Sequence, residues 1–229
     1  MQPTLSPEPI MRIASGFMAA KHLFVASELG IFEALADAPA TLDALAARTG
    51  LTTRTARISA DAMVALELLE RSGDEYSNSP VSAVFLTGRT PADLRAFLKF
   101  WDRISYPAWM ALGEALAAGK PPTQVFDLDD EHQAIVSAGI EAVLAGPANA
   151  LPQVVDLSTQ RSLLDVGGGT GSWALAAARV YPELSATVLD LPVVVEIAAG
   201  RIAGAGVGSR VEAVACDVMV EELPTGHDT

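Results

Sequence analysis

Leu163-Leu-Asp-Val-Gly-Gly-Gly-Thr-Gly-Ser172 decides how this 229-residue chain is read. A short apolar run begins at Leu163 and closes on Asp165. Gly167, Gly169 and Gly171 follow at alternate positions, and the apolar stretch 173–180 comes next. That order predicts strand, glycine turn and helix, with strand and turn at the carboxyl edge of a parallel sheet. Such a turn lets backbone approach a nucleotide-like ligand. An ordinary glycine-rich turn is the plainer alternative.

The residues around the turn narrow the ligand. A dinucleotide turn has glycine at the sixth position of G-x-G-x-x-G, and Ser172 stands there. A P-loop has lysine after its last glycine, and no lysine follows Lys120. Asp165, just before the turn, would repel a pyrophosphate and suits a cation. S-adenosylmethionine (AdoMet) carries an ammonium and a sulfonium and no phosphate, so it fits better. Two further carboxylates support it. The predicted strand 186–190 ends in Asp190, about twenty residues past the glycines, where a carboxylate accepts from ribose hydroxyls. The predicted strand 211–216 is followed by Asp217, placed to take an adenine amino group.

These residues carry a resemblance. The run 163–171, then Val188-Leu-Asp-Leu-Pro192, then Cys216-Asp-Val-Met219 with Leu223-Pro224, resembles the AdoMet-dependent O-methyltransferases of small aromatic molecules. These include plant phenolic enzymes and bacterial polyketide and phenazine tailoring enzymes. The resemblance extends to the N-terminal half, which is similar to that family's dimerisation domain. It implies that Asp165, Gly167, Gly169 and Gly171 line the methionine end of the cofactor. It implies that Asp190, beside Leu191, holds the ribose, and that Asp217 and Met219 flank the adenine. It further implies a homodimer and a small aromatic substrate.

Half of the residues are apolar, enough for a substantial core, and no unbroken apolar run reaches membrane-spanning length. Residues 1–9 lack the basic start of a secretory signal. The single cysteine, Cys216, excludes an internal disulfide and fits a reducing cytoplasm. Cysteine and histidine are too few for a thiolate zinc site, so no metal is expected. Charge is uneven. Residues 1–120 carry eleven basic and thirteen acidic side chains, and residues 121–229 carry four and fifteen. So acidic a second half disfavours nucleic acid and anionic membranes as partners.

The organisation reads as an α/β chain in three parts. Residues 1–120 form a helical, winged-helix-like dimerisation domain. Residues 121–160 form a helical linker that roofs the substrate pocket, with an interruption near Gly146-Pro147. Residues 161–229 form the first part of a Rossmann-like class I methyltransferase domain. In the first helix Ile13, Phe17, Ala20 and Phe24 recur at helical spacing, and Ile10, Met11, Met18 and Val25 make it apolar on other sides too. A helix apolar all round must be buried, most simply against a second protomer, with burial as a core helix within one chain the alternative. Thr41 caps a helix ending at Gly50. Thr52 or Thr53 opens the next, with Ile58, Ala62, Ala65, Leu66 and Leu69 on one face, and 76–80 supply a hairpin turn. Arg48, Arg54 and Arg57 lie near the would-be recognition helix, but Asp61, Glu67 and Glu70 oppose them, which argues for a scaffold over a DNA reader. Thr90-Pro-Ala-Asp93 opens a further helix, and Pro107 begins another that Gly119 ends. Trp101, Tyr106, Trp109 and Ile140 are candidate pocket residues, with plain helix packing the alternative for each.

Only three strands of a seven-stranded methyltransferase sheet are legible, near 162–166, 185–189 and 211–216, and Gly226–Thr229 is where a fourth would begin. The expectation is therefore a fragment, or one part of a split enzyme whose complementary polypeptide carries strands four to seven. The bare edge of the first strand would then promote aggregation. The resembled family takes its catalytic histidine from beyond the fourth strand. His22, His132 and His227 do not match it, so no catalytic residue is assigned. Two alternatives remain: the same cofactor with N-, S- or C-methylation, hydroxylation or decarboxylation, and a non-catalytic winged-helix regulator.

Overall fold

A computed structural model describes residues 5–120, 128–207 and 209–229. The chain divides into two compact units, residues 1–102 and 103–229. The helix at 95–100 packs against the first helix of the chain and belongs to the first unit.

The first unit begins with α1 (Glu8–Glu28) and the single turn α2 (Ile31–Ala34). Strand β1 (Ala40–Thr41) leads into α3 (Leu42–Thr49). The Thr41 hydroxyl accepts from the Ala44 N–H at 3.4 Å, and Gly50 ends the helix in the left-handed region, as expected. Thr52 caps α4 (Thr53–Ala65) in the same way. The buried face of α4 differs from the expected one: Ala56, Ser59, Ala60 and Met63 point inward, while Ile58 is exposed. The small residues let α4 approach its neighbours closely, and burial follows that contact rather than side-chain size. Strands β2 (Leu69–Ser72) and β3 (Glu75–Asn78) form the hairpin. Its turn is Gly73-Asp74, not 76–80; Gly73 takes a positive φ of 63°, which suits a two-residue hairpin loop. Strand β1 pairs with the other side of β3, completing a winged-helix arrangement. Ser79 caps α5 (Pro80–Phe85).

The next helix, α6 (Arg95–Phe100), starts later than Thr90. The Thr90 hydroxyl donates to the Val84 carbonyl and accepts from the Ala92 N–H, so it closes a turn of its own. A π-helical turn, Trp101–Ser105, follows.

The second unit contains α7 (Tyr106–Met110), α8 (Leu112–Ala118) and α9 (Asp130–Val154). The expected interruption of α9 is absent, although Pro147 and Pro152 lie inside it. Pro147 forgoes one hydrogen bond, to the carbonyl of Val143, and Val143 is on the exposed side where water can replace it. By length and composition α9 is also apolar enough to cross a membrane, although polar residues interrupt its apolar run. Its residues instead pack on the helix of the glycine turn.

Strand β4 (Ser162–Val166), helix α10 (Ser172–Val180), strand β5 (Ser185–Asp190), helix α11 (Pro192–Gly204) and strand β6 (Val211–Ala215) complete the chain. The strands are parallel, in the order β4-β5-β6, and their bounds match the expected ones closely. Helices α10 and α11 cover one face, through Ala174, Leu175 and Ala178, and through Ala198 and Ile202, packed with Ala186, Val188 and Val211. The edge of β4 is not bare throughout. The Leu164 N–H donates to the Thr229 carbonyl at 2.9 Å and the Thr229 N–H to the Ser162 carbonyl at 3.2 Å, the pattern of a parallel neighbour.

Candidate functional site

Strand β5 ends at Asp190 because the chain turns there into α11, whose Pro192 sits in the first turn where its missing N–H costs nothing. Strand β4 ends beside it and runs into the glycine turn. The Gly169 N–H donates to Asp190 Oδ2 at 2.8 Å, and the Leu191 N–H donates to Oδ1 at 2.8 Å. The Asp190 carboxylate is thus fixed in orientation by two backbone donors. It has no cation partner among the described residues and keeps acceptor capacity for a ligand.

Glycine is required in the turn for two different reasons. Gly169 has a positive φ of 58° and open space where a side chain would stand. Gly168 has ordinary backbone but no room: a Cβ there would lie 2.7 Å from Asp165 Cγ and 2.8 Å from Val188 Cγ1. Asp165 is accordingly packed beneath the turn. Its Oδ2 accepts from the Ala174 N–H at 3.3 Å, in the first turn of α10. Burial pushes the Asp165 carboxyl above the usual carboxylate range; the Ala174 donor opposes the push and the Asp190 charge adds to it.

A cavity of about 210 Å³ opens on this turn. Gly167–Thr170, Trp173 and Asp190 form one wall. The other is a face of α9, with Val136, Ile140 and Leu144 at helical spacing. One side therefore offers glycine backbone and a carboxylate, and the other an apolar surface. Such a space suits a ligand with a hydroxylated or cationic polar edge and an apolar body.

The structure brings some of the predicted residues together and leaves others apart. Gly167, Gly169 and Asp190 line the cavity. Asp165 braces the turn from below and does not line it, and Gly171 caps α10 with a positive φ of 79°. Leu191 follows Asp190 at the surface. Asp217 closes a turn of its own: the Met219 N–H donates to its Oδ1 at 3.0 Å, and its own N–H donates to Glu221 Oε1 at 2.7 Å. Neither Asp217 nor Met219, which is 86% exposed, is part of the cavity wall. Of the candidate pocket residues only Ile140 lines the cavity. Trp101 lies in the π-helical turn and meets the rings of Phe97 and Phe100 edge-on, with centroids 5.8 and 6.1 Å away. Tyr106 and Trp109 lie on α7. The histidines are elsewhere. His132 Nδ1 pairs with Asp129 at 2.6 Å at the start of α9, and His227 Nδ1 lies 2.8 Å from Ser162 Oγ at the start of β4. Cys216 is a buried free thiol.

Trp173, Gln133 and Glu141 are cavity residues that were not anticipated. A signal for the α9 pair existed: Gln133, Ser137, Ile140, Glu141 and Leu144 fall on one helical face. Glu141 also joins a network. It forms an ion pair with Arg201, and its Oε2 accepts from Thr170 Oγ1 at 2.7 Å.

With the geometry in place, comparison with known proteins is direct. Residues 11–88 match the O-methyltransferase dimerisation domain and residues 115–229 the O-methyltransferase domain. The chain is 35% identical over 228 residues to a 3-hydroxy-5-methyl-1-naphthoate 3-O-methyltransferase of Streptomyces sahachiroi; the match covers 97% of this chain and 66% of that protein. It is 31% identical to an N,N-dimethyltransferase, OxyT, of Streptomyces rimosus, over 99% of this chain and 71% of that protein. The crystal structure of human N-acetylserotonin methyltransferase in complex with SAM superposes with a TM-score of 0.82 at 26% identity, covering 98% of this chain and 70% of that one. Among these and other curated relatives the chain spans between 53% and 71% of the relative's length.

Proposed function

From the chain's place in the O-methyltransferase family, to which the two domain matches assign it, we propose that it binds AdoMet in the cavity beside Asp190. There it supplies the cofactor-binding and assembly part of a methyl transfer to a hydroxyl of a small aromatic or polyketide-like molecule. The observation that carries this reading is the Asp190 carboxylate, held by the Gly169 and Leu191 N–H groups and open to the cavity. A carboxylate so fixed accepts from both hydroxyls of a ribose. Gly167–Gly169 leave room for the amino-acid end, and the α9 face closes the apolar side.

The cofactor supplies an electrophilic methyl on a sulfonium, which passes in line to the acceptor oxygen while the hydroxyl proton leaves to a base. The residues described hold and orient; none of them is assigned as that base. An amine acceptor is the second reading, favoured by the similarity to OxyT. Asp217 and Met219 are proposed to flank the adenine after a rearrangement of their turn, and Asp165 to act on the methionine end through the turn it braces. The setting is proposed to be cytoplasmic.

Assembly is proposed to be a homodimer through α1. Phe24 is buried within the first unit, so the face offered to a partner is Ile10, Met11, Ile13, Phe17 and Met18, with Ile13 80% and Phe17 56% exposed. Light scattering tests this: Ile13→Glu with Phe17→Glu is expected to give monomer, and a monomeric parent would refute it. Calorimetry tests the cofactor, with AdoMet bound and NAD not bound as the expected result. Transfer of labelled methyl to a naphthol or to an aromatic amine, with any polypeptide that completes the relatives' length added, separates the two acceptor readings.

A further inference from the structure

We propose that Arg201 and Glu141 are a positioning pair for the cofactor turn, an inference that rests on the cofactor reading above. Three segments far apart in sequence meet at the Arg201 guanidinium. Its Nη1, with two N–H groups, lies within hydrogen-bond distance of the Thr170 carbonyl at 3.2 Å, Thr170 Oγ1 at 2.8 Å and Ser172 Oγ at 3.0 Å, and shares its protons among them. Both Nη atoms also reach the Glu141 carboxylate. The Thr170 and Ser172 hydroxyls in turn donate to Glu141 Oε2. Glu141, Thr170 and Ser172 line the cavity; Arg201 stands behind them on α11. The two Nη groups of a planar guanidinium reach the carboxylate side by side while one of them also faces a carbonyl and two hydroxyls, which a single ammonium cannot do in one geometry.

Two consequences follow for the cavity. The pair ties the lining face of α9 to the glycine turn, so it sets the distance between the two walls. It also cancels the charge of Glu141. Of the two carboxylates that line the cavity, Asp190 is then the one left without a cation partner among the described residues. With side chains 32% and 22% exposed, the pair lies where desolvation offsets much of the attraction, so its value is geometric and electrostatic more than a gain in stability.

Arg201→Met, Glu141→Gln, the double variant and Arg201→Lys are compared with the parent in two measurements. Amide hydrogen exchange of residues 136–144 and 168–174 needs no ligand. Each of the first two variants is expected to raise exchange there about tenfold, and the double variant no more than the worse single one. Residues 31–76 remain as in the parent. Calorimetry then compares AdoMet with S-adenosylhomocysteine, which is neutral at sulfur. Arg201→Met leaves Glu141 uncancelled, so the ratio of AdoMet to S-adenosylhomocysteine affinity rises about threefold even as both weaken. The double variant returns the ratio to the parent value, and Arg201→Lys restores the ratio without restoring exchange. A purely structural role would weaken both ligands alike. An unmoved ratio in Arg201→Met, parent-like exchange, or additive effects in the double variant would overturn the proposal. If the parent binds neither ligand, the cofactor reading fails, while exchange still decides whether the pair holds the two walls.

Discussion

The two units of this chain are packed from different materials. The core of residues 1–102 is bulky: Ile31, Phe32, Leu45, Met63, Leu69 and Tyr76 are essentially inaccessible. The core of residues 103–229 has fewer bulky members: Leu175, Leu184 and Leu189 are fully buried, but Ala174, Ala178, Ala186, Val188 and Ala198 fill much of the space between sheet and helices. Polar groups follow the same division. In the first unit Asn78 Nδ2 donates to the Phe32 carbonyl and the Tyr76 hydroxyl to Asp61, so they serve the fold. In the second unit Asp190 is held by backbone and faces a cavity. Large interlocked side chains make a scaffold. Small ones let α10 and α11 lie close on the sheet and keep the turn's backbone within reach of a ligand.

If that contrast is right, a core truncation in the first unit and a carboxylate removal in the second must fail in different ways. Phe32→Ala removes a buried ring from the scaffold and should cost about 3–5 kcal/mol of stability. Denaturant unfolding measures it, and a loss below 1 kcal/mol would mean the first unit is not held by its bulk. Asp190→Ala frees the Gly169 and Leu191 N–H groups, so it should cost about 1–2 kcal/mol of stability, less than Phe32→Ala, and should weaken AdoMet binding by about 1.5–3 kcal/mol through loss of charge-assisted hydrogen bonds. Unchanged affinity in calorimetry would remove Asp190 from the site.

Gly168→Ala sharpens the same contrast inside the second unit. The added methyl meets Asp165 Cγ and Val188 Cγ1 below 3 Å, so the turn must shift, at about 1–3 kcal/mol. The displacement should appear as weaker cofactor binding and a lower Tm together. Alanine substitution with neither change would show that the turn yields freely.

Much of this arrangement was legible in the sequence where the signal is local. Each strand of the parallel sheet was found because a short apolar run stops at a carboxylate or a turn. Thr41, Gly50 and Gly119 were found because caps act on their immediate neighbours. Asp190 and the glycines could be placed at one sheet edge because each follows or closes a predicted strand, and Gly167, Gly169 and Asp190 line one cavity. What was not legible depends on packing. The inward face of α4 is set by alanines that look neutral in a pattern of large residues. Pro147 reads as a break, yet the carbonyl it leaves behind belongs to Val143, on the exposed side of the helix, where water can serve it. The Glu141–Arg201 pair joins residues sixty positions apart on two helices, and nothing within either helix marks the other. Asp165 was read as lining the methionine end of the cofactor; that it packs against Gly168 beneath the turn depends on packing that its spacing does not reveal.

That distinction has a pH signature, the smallest effect expected here. Burial raises the Asp165 carboxyl above its unfolded value, so the folded chain binds this proton more readily than the unfolded chain. Its contribution to stability is then fully present below the ordinary carboxylate range and is lost as pH rises through the raised value. Asp165→Asn keeps the shape and an acceptor for the Ala174 N–H but cannot titrate. The variant should therefore lose less stability than the parent as pH rises from about 4, a carboxylate's unfolded value lying near 3.9, through the raised value. At neutral pH it should be at least as stable. Its AdoMet affinity should fall modestly at most, because the turn itself stays in place. Unfolding curves at several pH values read the first effect and calorimetry at pH 7 the second. A variant with the parent's pH slope and a large loss of affinity would mean that Asp165 turns into the cavity and meets the ligand directly.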